Sequence, residues 1–335
     1  MTLKAPRFLH VANGSATTDL IEAARTPGQV SIWADPLYEG PVPGGLSDSE
    51  LLPVRARYLS GLRAASPADA VKGLQRWRDQ ISDAASYDEL VLWYEHDLFD
   101  QLNLIQLLSW MKSQLPAATI VSLVEIGSFP GRPSFKGLGE LTPSDIASLF
   151  GRRQPVSSER YELAVRAWAA FRQPTPEAVD ALRHQDNNAM PFLSAALKRF
   201  LQEYPWTSDG LSRSERRLLT IAASGPADLW TAFLQMHEGE TAYYITDLSW
   251  LGMLRNFSRC TPPLISVGDI PLDADRIPHG TAAITDYGRA ILNHAVDRVA
   301  VYGIDRWVGG VHLTDRAGDW RWDEERDQMV LGSGF

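Results

Sequence analysis

The first part of the chain alternates short apolar runs with longer helical stretches, and few folds accept that alternation. The runs are Phe8 to Ala12, Gln29 to Trp33, Glu89 to Tyr94 and Thr119 to Val124. Thr17 to Ala24 reads as a capped helix start. Leu51, Leu52, Val54, Tyr58 and Leu62 recur at helical spacing, and Pro67 opens a second helix through Leu74 and Trp77. Leu98 to Leu115 forms another. Strands separated by helices imply a parallel sheet with right-handed crossovers. The Leu-Val-Leu-Trp of 90–93 suits a strand covered on both faces. Ligands of such sheets gather beyond the carboxyl ends of the strands. The loops 10–19, 34–45, 94–103 and 125–137 are therefore where a site is expected.

At 335 residues the chain is too long for one small core. The pattern is helical from 141 to 206, with Gln173-Pro174-Thr175-Pro176 separating two helices. Helices are expected near 211–223, 226–237 and 246–257, and short strands at Leu264–Val267 and Thr281–Ile284. Thr285 then opens one more helix. Three helices followed by two strands and a helix look like a winged helix-turn-helix. The tail couples the Trp307–Leu313 run, through a turn at Asp315–Gly318, to Trp320-Arg321-Trp322-Asp323, and reads as a β-hairpin. The expected fold is thus α/β: a Rossmann-like parallel-sheet domain over 1–140, a helical connector over 141–206, and a winged-helix-like region over 207–335 with the hairpin tail.

Composition narrows the function. The formal net charge is -9. Residues 207–295 hold 7 basic and 10 acidic groups, which argues against a domain held on nucleic acid by phosphate contacts. The third helix of that region, Tyr244 to Phe257, offers only Arg255 as a cation. A single cysteine, Cys260, excludes an intrachain disulfide, fits a reducing compartment and reads as an inert thiol. No apolar run approaches a membrane span of roughly 20 residues, and the first residues lack a signal-peptide pattern. A cytoplasmic location is expected.

Three clusters carry chemistry. The densest is Glu95-His96-Asp97, followed by Asp100, Gln101 and Asn103, at the end of the third run. His96 suits a general acid/base, with Glu95 and Asp97 orienting it, and the same carboxylates suit a divalent metal. The competing structural reading is a helix cap beside a hydrogen-bonded histidine. The second cluster is His10, Asn13, Gly14 and Ser15, where a tight turn at Gly14 and a helix N-terminus suit an anion; a plain turn with a cap explains it as readily. It is neither a P-loop nor a full dinucleotide fingerprint. The third is Asp35, Tyr38 and Glu39 with Gly40-Pro41, where Glu39 suits an acid or a metal ligand and a surface-loop acid is the commoner reading; Arg55 and Tyr58 on the next helix suit an anion or a solvated face equally. His312 reads as packing. No motif specifies a cofactor, and the common zinc and serine-hydrolase signatures are absent from the sequence.

These stretches resemble the DUF 1835 family of uncharacterised bacterial proteins. The similar residues are His10 to Ser15, Trp33-Ala34-Asp35, Glu39-Gly40-Pro41 and, most specifically, Leu92 through Leu104. Trp307–Leu313 and Trp320–Asp323 look like the C-terminal part of longer members. The family often has Gly-Asp-Ser in the first loop, where this chain has Gly14-Ser15-Ala16 and so lacks the acid. The resemblance implies a Rossmann-like domain and draws attention to the first-loop and Glu95–Asp97 clusters. It implies no reaction.

The function expected from sequence is binding of a small phosphorylated or nucleotide-like ligand at the carboxyl edge of the sheet, with His96 as acid/base if the protein is an enzyme. The ligand-contacting set is His10, Asn13, Gly14, Ser15, Asp35, Glu39, Gln101 and Asn103. The rival is a ligand-sensing regulator whose winged helix binds DNA or, as the charge favours, another protein. A purely structural partner is the third reading.

Overall fold

The computed structural model describes residues 5–63, 66–268, 277–314 and 319–332. The chain opens with β1 (Phe8–Ala12), α1 (Ser15–Ala23), β2 (Gln29–Ile32) and the two-residue β3 (Gly40–Pro41). Two helices, α2 (Asp48–Arg63) and α3 (Pro67–Ser82), return it to β4 (Glu89–Glu95). Next come α4 (Leu98–Gln114), β5 (Val121–Ile126), α5 (Pro143–Phe150) and β6 (Gln154–Pro155). The sheet order is β2-β1-β4-β5-β6. The first three pairings are parallel, and β6 closes the edge antiparallel to β5. The protein is mixed α/β with a mostly parallel five-stranded sheet.

This order fixes where a site can form. From β1 the chain turns to β2 on one side; from β4 it turns to β5 on the other. The loops after β1 and β4 therefore part at the carboxyl edge and leave a crevice between neighbouring strands. Both strands are buried along nearly their whole length, as a sheet covered on both faces requires.

Helices cover the sheet. Asp97 caps α4, its carboxylate accepting from the Asp100 N–H. α4 is buried nearly all round, between the sheet and two later helices, α6 (Ser158–Phe171) and α8 (Leu193–Leu201), with α7 (Glu177–Arg183) between them in sequence. On the opposite face Phe8, Val91, Trp93, Ile146 and Leu149 form a separate smaller core.

The following segment carries α9 (Arg213–Ala223), β7 (Ala227–Asp228), α10 (Leu229–Met236), α11 (Asp247–Arg259), β8 (Ile265–Val267), β9 (Thr281–Ile284) and α12 (Asp286–Leu292). Its three strands pair antiparallel in the order β7-β9-β8. Ser212 and Glu215 start α9 with a reciprocal capping box. The chain ends with α13 (Arg298–Tyr302), β10 (Arg306–Gly309), β11 (Val311–Leu313), β12 (Trp320–Asp323) and β13 (Gln328–Leu331). Among the described residues no helix is long and apolar enough to cross a membrane.

Two local expectations are corrected. The helix expected from Thr17 begins at Ser15, and no side chain caps it. Thr17 instead donates its hydroxyl to Asn13 Oδ1 at 2.7 Å. The tail is not one hairpin. The 307–313 run folds on itself, β10 pairing antiparallel with β11 and, parallel, with β3. Trp320–Asp323 pairs with β13. Gly309 adopts φ 61°, and a Cβ on Gly310 would lie 2.3 Å from the Arg172 backbone, so the reversal needs both glycines. The turn expected at Asp315–Gly318 lies outside the described residues.

Candidate functional site

Three carboxylates meet in the crevice between β1 and β4. Glu95 ends β4, Asp97 caps α4 and Asp100 lies in its first turn. One oxygen from each lies within 4.8 Å of the others. All three are buried, with 5%, 7% and 1% of their surface exposed. Their donors are neutral. Asn13 Nδ2 donates to Glu95 Oε1 at 3.1 Å and to Asp100 Oδ2 at 3.0 Å. The Leu138 backbone N–H donates to Glu95 Oε1 at 2.5 Å. Among the described residues none of the three forms an ion pair with Lys, Arg or His, and Asp100 Oδ1 has no hydrogen-bond partner.

Charge stored this way is costly. Burial pushes Glu95 up to about 7, with the neighbouring Asp97 adding to the effect. Burial pushes Asp97 up to about 6. Asp100 is raised well above the usual carboxylate range by burial and by both neighbours. Three buried acids without a counter-charge must hold protons or a cation. Their hard oxygen donors suit Mg2+, Mn2+ or Ca2+.

The surroundings hold the cluster in place. Thr17 orients the Asn13 amide, so that its nitrogen faces the carboxylates. Gln101 Nε2 bridges the Glu95 carbonyl at 2.8 Å and Glu125 Oε1 at 3.0 Å. Glu125 in turn pairs with Arg160 at 3.0 Å. Gln101 Oε1 is fully buried without a partner. The 137–138 backbone closes over Glu95; a Cβ on Gly137 would lie 2.2 Å from Glu95 Oε2. From the far end of the chain, Ala242 accepts the Leu98 N–H at 2.7 Å, which brings residues 242–244 against the start of α4.

His96 stands beside the cluster without belonging to it. Its half-buried ring faces Phe135, Phe192 and Tyr244, with centroids at 6.3, 6.0 and 6.4 Å. Burial lowers its pKa, partly offset by contacts with the backbone of Thr241 and Ile126. The lowered pKa keeps the imidazole neutral near pH 7.

Gly14 and Ser15 follow Asn13 directly and are half-buried and exposed, respectively. Gly14 has φ 166°, an extended conformation open to any residue, so the expected tight turn does not account for it. Nothing lies within 4 Å of its missing Cβ. The first turn of α1 carries no acidic residue and no side-chain cap, so no side chain satisfies its first N–H groups.

No family model matches this chain, and no curated protein does.

The remaining residues expected on the rim do other work. His10 lies inside β1. Its Nδ1 accepts from Trp93 Nε1 at 3.0 Å, so Nε2 carries the proton and donates to Pro27 O at 3.2 Å. That buried, doubly bonded ring faces the smaller core, away from the crevice. Asp35 forks onto Arg55, with Oδ1 to Nη2 at 2.6 Å and Oδ2 to Nε at 2.9 Å. Asn103 braces the Asp35 backbone with both ends of its amide, at 2.8 and 2.9 Å. Arg55 spends its other donors on the carbonyls of Pro36 and Glu39, so it has nothing to offer an anion. Glu39 lines a different cavity. Sequence reasoning treats Asp100 as a cap candidate and misses Leu138. The spacing Glu95-x-Asp97-x-x-Asp100 across a strand end and a first helical turn is the signal that finds Asp100; no signal marks a backbone N–H supplied 43 residues later.

Proposed function

We propose that this protein binds a divalent cation through Glu95, Asp97 and Asp100, and with it a small phosphorylated or nucleotide-like ligand at the carboxyl edge of a Rossmann-like sheet. His96 is the acid/base of any reaction there. One observation carries the reading: three buried carboxylates place oxygens within 4.8 Å of one another, and among the described residues no basic side chain pairs with them. The uncapped first turn of α1, across the same crevice, supports an anionic group on the ligand. Membership of the DUF 1835 family belongs to the same proposal, on the residues Leu92 to Leu104.

Thermal unfolding tests it. Mn2+ or Mg2+ is expected to raise the melting temperature of the wild type. ATP, AMP or inorganic phosphate is expected to raise it further only when the cation is present. A ligand at about 100 times its Kd adds about 2.7 kcal/mol. Asp100→Asn should lose the cation effect, and His96→Ala should keep it while losing turnover. A wild type indifferent to every cation ends the proposal.

A second reading has its own observation. The order α9-β7-α10-α11-β8-β9, with β7, β9 and β8 in one antiparallel sheet, supports a winged helix. Its α10 exposes Trp230 and Leu234 at 50% and 47%. Apolar exposure on an acidic module favours protein docking over DNA. Salt-sensitive binding to duplex DNA at low micromolar protein would overturn that preference.

A further inference from the structure

A cavity of about 790 Å³ lies away from the carboxylate cluster, between the β3 loop, α2, α11 and β10. Its size falls among those of small-molecule sites, roughly 300–1,000 Å³. None of Asn13, Glu95, Asp97 and Asp100 lines it. Four carboxylates do: Glu39, Glu203, Glu215 and Asp305. Three of them have a basic partner. Glu203 meets Arg199 at 2.5 Å, Glu215 meets Arg306 at 3.3 Å, and Asp305 meets His312 at 2.7 Å. Glu39 has none among the described residues. Ser249 Oγ donates to its Oε1 at 2.8 Å, and the Tyr58 hydroxyl adds a second neutral contact. Arg55, the nearest guanidinium, donates to the backbone carbonyl of Glu39 instead and keeps its fork on Asp35.

The walls around Glu39 are aromatic. The rings of Tyr38 and Tyr243 meet edge to face, 4.9 Å apart. Tyr58 lies flat against Gly40, where a Cβ would come within 2.5 Å of the ring; Gly40, at φ 72°, is the residue that admits it. Glu39 sits deep in the protein but is not sealed, because its side chain opens on the cavity. Burial pushes its pKa up to about 7, against the opposing pull of the Ser249 hydrogen bond and the Arg55 charge.

Two of these rings already carry a guanidinium, Arg55 over Tyr58 at 5.2 Å and Arg199 over Tyr243 at 4.8 Å, so what the cavity still offers a cation is the unpaired carboxylate of Glu39 beside Tyr38. We infer that this cavity is a second binding site, for a small organic amine whose protonated nitrogen pairs with Glu39 beside Tyr38. The inference does not depend on the cation site.

Calorimetry on the full chain tests it, with benzylamine and spermidine as probes and benzyl alcohol as the uncharged isostere. Benzylamine should bind the wild type about tenfold tighter than benzyl alcohol. Glu39→Gln should erase that preference while keeping a cooperative urea-unfolding transition, which shows that the variant is folded. The comparison of amine with alcohol on the wild type needs no variant. Equal binding of the two, no heat from either amine, or an unchanged amine affinity in a folded Glu39→Gln would each overturn the inference.

Discussion

The Asn13 amide, just past β1, reaches Glu95 at the end of the neighbouring strand β4, 82 residues away, and its one nitrogen serves both Glu95 and Asp100. The loops after β1 and β4 are thereby tied at the point where the strand order reverses. Replacing Asn13 by Asp turns that donor into a fourth acid facing two others. Without metal, Asn13→Asp is expected to lower stability by about 1–3 kcal/mol, measured by urea unfolding. With Mn2+ the loss should shrink, since a cation gains from the added charge.

The same carboxylates set a pH dependence. Glu95 rises from an ordinary 4.5 to about 7, and Asp97 from 3.8 to about 6. Each group binds its proton more tightly folded than unfolded. Their contribution is therefore fully present below about pH 4 and is lost as pH climbs through about 7. Metal-free protein should lose stability across that window, and Mn2+ should bind more tightly as the protons leave. Denaturant melts at stepped pH, with EDTA and with Mn2+, report both. Equal slopes in the two series contradict the assignment.

Two glycines make a paired test. Gly137 is extended, at φ 175°, so a side chain there causes no backbone strain. Its Cβ would nevertheless strike Glu95 Oε2. Gly137→Ala should cost about 1–3 kcal/mol and weaken cation binding by displacing Glu95. Gly14 has open space around its missing Cβ. Gly14→Ala should change stability by less than about 0.5 kcal/mol while weakening an anionic ligand at the first turn of α1.

Arg55 and Asp35 form a pair with 1% and 5% of their side-chain surface exposed. Removing one partner strands the other charge in the core. Arg55→Ala should destabilise by about 3–5 kcal/mol and leave the intrinsic cation affinity of the folded fraction unchanged. Chemical denaturation beside calorimetry separates the two effects.

The parallel sheet is legible in the sequence because its strands are short apolar runs and its crossovers keep helical spacing. Phe8–Ala12 and the start of β4 at Glu89 fall where the pattern puts them. What escapes is set by contacts between distant segments. β3 is two residues long and exists because β10 lies beside it. The two glycines that fold the 307–313 run look like ordinary strand residues until the Arg172 backbone beside them is known. The site divides the same way. Glu95, Asp97 and Asn13 are visible as polar residues at strand ends. His10, of the same residue class in the same stretch, is core, because Trp93 and Pro27 occupy both its nitrogens. Glu39 looks like a rim residue, yet β3 carries it into another cavity.

Calorimetric titration of metal-free protein with Mn2+, comparing wild type with Asp100→Asn, tests the central claim most directly. One Mn2+ per chain is expected for the wild type, with affinity reduced by about 10–100-fold or lost in the variant. Equal binding by a folded Asp100→Asn, or no binding by the wild type at neutral pH, would contradict a cation held by Glu95, Asp97 and Asp100.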